Sequence, residues 1–189
     1  MSDRWKAGFI QYFFDPLDPG EYAGSGPLYA WGGNSAGRLG DGTTVNKSSP
    51  VQIGSSTWYK VTAGDSFGLG IKANGTLWSW GSANSGQLGL GDTEARSSPV
   101  QIGNLNSWSV ISGGNSFAAA IQTNGTLWTW GSNSGGRLGQ NSVAACSSPI
   151  QVGALTNWSV VSAGVLQTSA IKTDGTLWTW GRKCRRSTW

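Results

Sequence analysis

Apolar and polar residues alternate along this chain in short runs, and the runs recur. Residues Phe67–Lys72 and Thr76–Trp80 form two such runs joined across Asn74-Gly75. Later copies use Asn124-Gly125 and Asp174-Gly175. Such dipeptides supply the positive φ angles of a type I′ turn, so each pair of runs predicts a β-hairpin turning at Gly75, Gly125 or Gly175. Strand side chains alternate between faces. Thr76, Trp78 and Trp80 therefore point one way, and Leu77 and Ser79 the other. The second face keeps small Ser79, Thr129 and Thr179, which predicts a closely packed neighbouring sheet. An earlier strand is predicted at 59–63, 109–113 and 159–163. A fourth is predicted near Pro50–Ile53, Pro99–Ile102 and Pro149–Val152, its leading proline suiting an edge. Four short strands with two apolar faces predict a propeller blade.

The pattern is periodic. Trp31, Trp80, Trp130 and Trp180 are equivalent, and a fixed period of roughly 20–50 residues marks a solenoid or propeller. The organisation read from the repeats is an arm at 1–26, a half blade at 27–54, blades at 55–104 and 105–154, and a half blade at 155–181. Residues 182–189 break the pattern. The expected fold is all-β: a partial propeller of about three to four four-stranded antiparallel blades. Trp31, Trp78, Trp80, Trp128, Trp130, Trp178 and Trp180 are its expected core. Because a blade cannot bury both faces alone, the end blades are expected to expose aromatic surface and to self-associate.

The string GTLWTWG, then G-x-L-G, then S-S-P-x-Q-x-G, then V-x-A-G, resembles the regulator of chromosome condensation repeat family across residues 27–181. The resemblance implies blades of a seven-bladed ring, of which this chain would supply about half. Where many members carry His after A-G, this chain has Phe67, Phe117 and Gln167.

Composition fits an all-β chain, with 30 Gly, 12 Trp and 12% charged residues among 189. The net charge of +4 suggests nucleic acid at first sight. Without the four basic residues of 182–189, however, nine basic residues face nine acidic ones. No basic stripe of the kind a phosphate backbone requires remains. No stretch reads as a secretory signal or a membrane span, and the compartment stays open.

The arm, RWKAGFIQYFFDPLDPGEYAGSG from Arg4, is expected either to lay its aromatics on the first blade or to dock a larger assembly. Its W-K-x-G-F-I…D-P-L opening is similar to the starts of some tailed-phage virion proteins, which implies a virion part. The Gly-rich loop 34–42 lacks the Gly-Lys-Ser/Thr ending of a phosphate cradle and recurs at 84–91 and 133–139, so tight turns are expected. If those loops line a binding rim, Arg38, Gln87 and Arg137 share one slot and are the candidate partner contacts. Asn-x-Ser/Thr triplets at Asn46, Asn74, Asn124 and Asn157 are not expected to be glycan acceptors without a secretory signal; the hairpin turn already explains those at Asn74 and Asn124. The tail Gly181–Trp189 can be encoded GGA AGA AAA TGC AGA AGG TCA ACT TGG. One A fewer after the first codon gives Gly-Glu-Asn-Ala-Glu-Gly-Gln-Leu-Gly, the expected repeat, so an out-of-frame tail is expected.

There is no histidine, which removes the commonest general base, His-based triads and His metal sites. Cys146 and Cys184 cannot make a four-thiolate site. Asp41, Asp65 and Asp92 read as scattered, solvated loop acids. No catalytic residue, cofactor or metal is expected. The expected function is a non-enzymatic protein-interaction module; the alternative is guanine-nucleotide exchange on a small GTPase, as family resemblance implies. That activity uses a complete ring and an inserted β-wedge, and these repeats carry almost no insertions.

Overall fold

The computed structural model describes residues 25–182 and the backbone of 9–12. Strand β1 is Phe9–Tyr12, β2 Gly26–Gly32, β3 Lys47–Ala63, β4 Phe67–Lys72, β5 Leu77–Gly81 and β6 Arg96–Gln101. Then come β7 Trp108–Gly113, β8 Phe117–Gln122, β9 Leu127–Gly131 and β10 Cys146–Gln151. The last are β11 Trp158–Ala163, β12 Gln167–Lys172 and β13 Leu177–Gly181. A 3-10 turn at Ser35–Gly37 is the only helical element among the described residues. All strand pairs are antiparallel.

The third blade is the clearest unit, a four-stranded sheet in the order β7-β8-β9-β10. The second blade repeats it with the end of β3, then β4, β5 and β6. The fourth holds β11, β12 and β13. In the first blade, β1 pairs with β2 in the place β8 takes beside β9: Phe9 faces Trp31 as Ala118 faces Trp130. Residues 9–12 of the arm thus add a strand, so the leading half blade has three strands rather than two. The rest of the arm lies outside the described residues.

Two strands expected to be separate are one. β3 runs 17 residues, pairing with β2 through its start and with β4 through its end, which joins the first two blades in one six-stranded sheet. The cause is length. Residues 54–57 connect Ile53 to Trp58, whereas the later connections, 103–107 and 153–157, are one residue longer. All three turn at their glycine, Gly54, Gly103 and Gly153, with φ of 60°, 59° and 60°, but only across the shorter one do strand pairs continue, Thr57 and Trp58 facing Pro27 and Gly26. The same missing residue makes the Trp31-to-Trp80 spacing one less than the next two.

The hairpin turn also differs from the type I′ expectation. Only Gly75 has positive φ, 79°, and Asn74 does not. Lys72 N–H donates to Thr76 O at 3.0 Å and Gly75 N–H to Lys72 O at 2.8 Å, closing a three-residue loop with the glycine in the left-handed region. Asn74 has another task. Its Oδ1 accepts the Thr76 hydroxyl at 2.7 Å and the Thr76 N–H at 3.2 Å, while Thr76 Oγ1 accepts the Trp78 indole N–H at 2.8 Å. Asn124, Thr126 and Trp128 repeat the chain, as do Asp174, Thr176 and Trp178. The Asn-Gly-Thr triplet is a hairpin clasp.

Blades stack face to face. Leu28, Ala30, Leu39 and Ile53 of the first meet Trp58 and Trp80 of the second. Leu77, Leu88 and Ile102 of the second meet Trp108, Ala118, Ala120 and Trp130 of the third. Ala119, Ile121 and Leu127 of the third meet Trp158, Val161 and Ala170 of the fourth. Fully burying one such large apolar side chain stabilises by about 2–3 kcal/mol. Trp80 and Trp130 are completely buried; Trp31, Trp78, Trp128 and Trp180 are half-buried. Trp178, expected in the core, is 48% exposed: it lies on the face turned to the third blade, but no described strand flanks β13 as β10 flanks β9.

The innermost strands meet along one axis. Gly113 N–H donates to Thr62 Oγ1 at 3.4 Å, and Ala163 N–H to Ser112 Oγ at 2.9 Å. At the turn above, Asp65 N–H reaches Gly114 O at 3.3 Å and Asn115 N–H reaches Gly164 O at 3.2 Å. The outermost complete strands, β6 and β10, each carry a proline and an irregular register, as edge strands tolerate.

Candidate functional site

The Gly-rich loops prove to be receptors for the next blade. Trp80 Nε1–H donates to Arg38 O at 3.0 Å, Trp130 to Gln87 O at 2.9 Å, and Trp180 to Arg137 O at 3.0 Å. The glycine two residues on makes room. A Cβ on Gly89 would lie 2.8 Å from Trp130 Nε1, and φ there is +71°. Beneath each loop the small residue of the strand face is filled by its own blade. Ser79 Oγ donates to Leu88 O at 2.7 Å, and Thr129 Oγ1 to Leu138 O at 2.7 Å. Small side chains at that slot admit the blade's own loop, on which the following indole rests.

This accounts for the three candidate partner contacts. Gln87 is 3% exposed and Arg137 5%. Arg137 reaches into the fourth blade, donating to Val165 O at 2.6 Å, and its guanidinium lies 5.3 Å over the Phe117 ring. Burial pushes its pKa below the usual value. Arg38 makes the equivalent bond to Asp65 O at 3.3 Å and remains half-exposed. Gln87 and Arg137 are seam residues, closed to a partner by burial.

The loop acids are also committed. Asp41, expected to be solvated, has a side chain only 4% exposed and pairs with Lys47 at 3.0 Å. Asn34, fully buried, donates to Asp41 Oδ1 at 3.0 Å and to the carbonyls of Thr43 and Val45. Burial alone would raise the Asp41 pKa; the Lys47 ammonium and the donors of Thr43 and Asn34 outweigh it and lower it to about 2. Asp92 pairs with Arg96 at 2.7 Å. Asp65 is exposed. Cys146, the free cysteine of the described residues, opens β10 where Lys47 and Arg96 stand in earlier blades. Among the described residues, no group of three or more acids and cysteines gathers that could hold a metal, and no helix is long and apolar enough to cross a membrane.

Between the second and third blades lies a groove of about 360 Å³. Leu90, Ile102, Leu105, Trp108, Trp128 and Pro149 give it apolar walls, and no charged residue lines it. Two sequence differences open it here. Leu90 occupies the slot that Asp41 fills in the first blade and Gln140 in the third. Gln140 reaches across its own blade to the carbonyls of Ile150 and Gln151 at 3.3 and 3.1 Å. The longer connection 103–107 brings in Leu105, 46% exposed, for which 54–57 has no counterpart. Sequence reasoning passed over this groove; its signal was the residue missing from the first connection. A further difference lies nearby. Lys72 holds its ammonium 3.4 Å from the Trp78 ring centre and Lys172 4.0 Å from that of Trp178, but the equivalent over the third blade is Gln122.

Stacked antiparallel sheets whose innermost strands share an axis define the class: this is a β-propeller assembly. The model of the regulator of chromosome condensation (RCC1) repeat matches residues 25–71, 74–121 and 124–171, and a second model of the same repeat matches 58–87. The chain belongs to that repeat family. Each matched repeat begins in the third strand of one blade and ends in the second strand of the next, so every sequence repeat crosses a seam. The fold is similar to that of yeast RCC1 (Prp20) bound to Kap60, with a TM-score of 0.73 at 19% identity, covering 82% of this chain and 40% of that one. Prp20p from Saccharomyces cerevisiae, studied with its binding to Gsp1p and histones, gives 0.72 at 20%, covering 82% and 41%. Human WBSCR16 gives 0.71 at 20%, covering 82% and 42%. The chain thus spans about two fifths of the length of these structures. A search of curated protein sequences gave no match.

Proposed function

We propose that this chain is a non-enzymatic protein-interaction module that receives an uncharged apolar side chain of a partner protein in the groove between its second and third blades. The observation that carries this is the groove's lining, apolar and free of charge. A charged anchor would lose its hydration there without a counter-charge. Several ionisable groups elsewhere, among them Asp41, Arg96 and Arg137, are spent on structure. Prp20, which shares the fold, binds Kap60, and its binding to Gsp1p and histones has been studied. The virion version of this reading rests on the opening residues alone, of which the backbone of 9–12 is described.

The test is a peptide-display selection on the immobilised chain, followed by titration of the enriched peptides. The expected peptides share an apolar anchor. Their affinity falls about tenfold or more in Leu90→Asp and Leu105→Asp, and is unchanged in Val143→Asp, an exposed change in the loop preceding β10. Peptides without such an anchor, or binding that survives both groove substitutions, would overturn the groove. Acceleration of nucleotide release from a small GTPase by substoichiometric chain would replace the reading with the exchange alternative.

A further inference from the structure

The Gly-rich loops of the first and third blades close over a buried asparagine, and that of the second does not. Asn34 Oδ1 accepts the Leu39 N–H at 3.0 Å, while its Nδ2 donates to Thr43 O at 3.0 Å and Val45 O at 3.1 Å. Asn133 repeats the brace, accepting the Leu138 N–H at 2.9 Å and donating to Ser142 O at 2.8 Å. One buried amide thus ties the residue entering each loop to those leaving it. The same slot of the second blade holds Ala83, fully buried and without a polar group. The Leu88 N–H, counterpart of those two donors, is buried and makes no hydrogen bond among the described residues. A buried backbone donor without an acceptor destabilises the closed loop.

A weaker clasp takes over. Arg96 Nη2 donates to Asp92 Oδ2 at 2.7 Å and Nη1 to Glu94 O at 2.7 Å. The two side chains are 29% and 38% exposed, and an exposed ion pair contributes little and is screened by salt. Leu90, a wall of the groove, lies midway between Leu88 and Asp92, where the brace is missing. We propose that residues 88–95 form an adjustable wall that closes Leu90 onto an inserted anchor, freed by Ala83 and set at rest by the Arg96–Asp92 clasp. This rests on the reading of the groove as the binding site and adds how that site is regulated. Gln87 O stays bonded to the Trp130 indole and Gly91 N–H to Ser147 O at 2.8 Å, so the loop shifts between points tied to the third blade and the seam survives.

Hydrogen exchange on the full chain, free of any peptide, reads the loop directly. Amides of 88–95 should be at least about tenfold less protected than those of 39–46 and 138–145. Ala83→Asn supplies the brace and should raise 88–95 to the level of the other two. Should Asn not fit there, as judged by a lowered thermal midpoint, Arg96→Gln leaves the core untouched and should lower protection of 92–95 further. High salt should loosen 88–95 and leave 138–145 unchanged. Equal protection of the three loops in the free chain overturns the proposal, whatever the groove binds. The display-selected peptides give a second reading: they should protect 88–95, and they should leave Ala83→Asn about tenfold faster than the unaltered chain. A loose loop that the peptides do not protect, or dissociation unaltered by Ala83→Asn, overturns its closure on the anchor. Failure to enrich any anchored peptide overturns the groove itself, a result distinct from the exchange of the free chain.

Discussion

Trp130 Nε1 lies 2.9 Å from the carbonyl oxygen of Gln87, one blade earlier in the chain, and both groups are buried. The bond ties the strand of one sheet to the loop of another. Trp130→Phe removes the donor, leaves the carbonyl without this partner and opens space where the indole stood. The expected loss is about 2–4 kcal/mol. Trp178→Phe, at a half-exposed position that bonds only within its own hairpin, should cost less than about 1 kcal/mol. Urea denaturation of the two variants checks the order, and equal midpoints would contradict the latch.

Gly89 and Gly103 both have positive φ, +71° and +59°, but only Gly89 is crowded, its Cβ position meeting the Trp130 indole while that of Gly103 meets nothing within 4 Å. Gly103→Ala should therefore cost only the backbone strain, about 1 kcal/mol. Gly89→Ala adds a displaced indole and a strained seam, and should cost at least twice as much. Thermal unfolding separates them.

The Asp41 carboxyl is lowered to about 2 from an ordinary 3.8 by Lys47, Thr43 and Asn34 against the opposing effect of burial. A carboxyl depressed in the folded state contributes stability above its unfolded pKa. That contribution is lost as pH falls through the folded value. The window is therefore about pH 4 down to pH 2, and the contribution is of the order of 1–2 kcal/mol. The stability difference between the unaltered chain and Asp41→Asn should shrink across that window and stay level from pH 5 to 7. A difference that does not change with pH would remove Asp41 from the acid response.

Much of this was legible because the repeat prints the same physics several times. The alternation in TLWSW placed Leu77 and Trp80 on opposite faces, and the fully buried state of both agrees. Other features depended on what a face meets. Trp178 reads identically to Trp128, yet no described strand flanks β13 as β10 flanks β9, and it is exposed. Arg137 reads as a surface cation, yet Val165 O and the Phe117 ring draw it inside. The turn type hinged on Asn74, whose side chain serves Thr76 instead of a left-handed backbone. The groove was hidden because it arises from a difference between copies, and a search for repetition averages such differences away.

That difference can be reversed. Deleting Leu105 shortens the connection 103–107 to the length of 54–57, which in this same chain lies within one strand that joins two blades in one sheet. The variant should fold, because the chain already contains a seam built that way, and because Leu105 is nearly half exposed and contributes little burial. Its connection should become strand-like, with slower amide exchange at residues 103–107 as the backbone pairs. The groove should lose one wall and narrow, so peptides selected on the unaltered chain should bind about tenfold more weakly or not at all. Retained binding with the shortened connection would show that Leu105 and its extra residue do not make the site. A folded variant with unchanged exchange would show that connection length does not decide whether neighbouring blades share a strand.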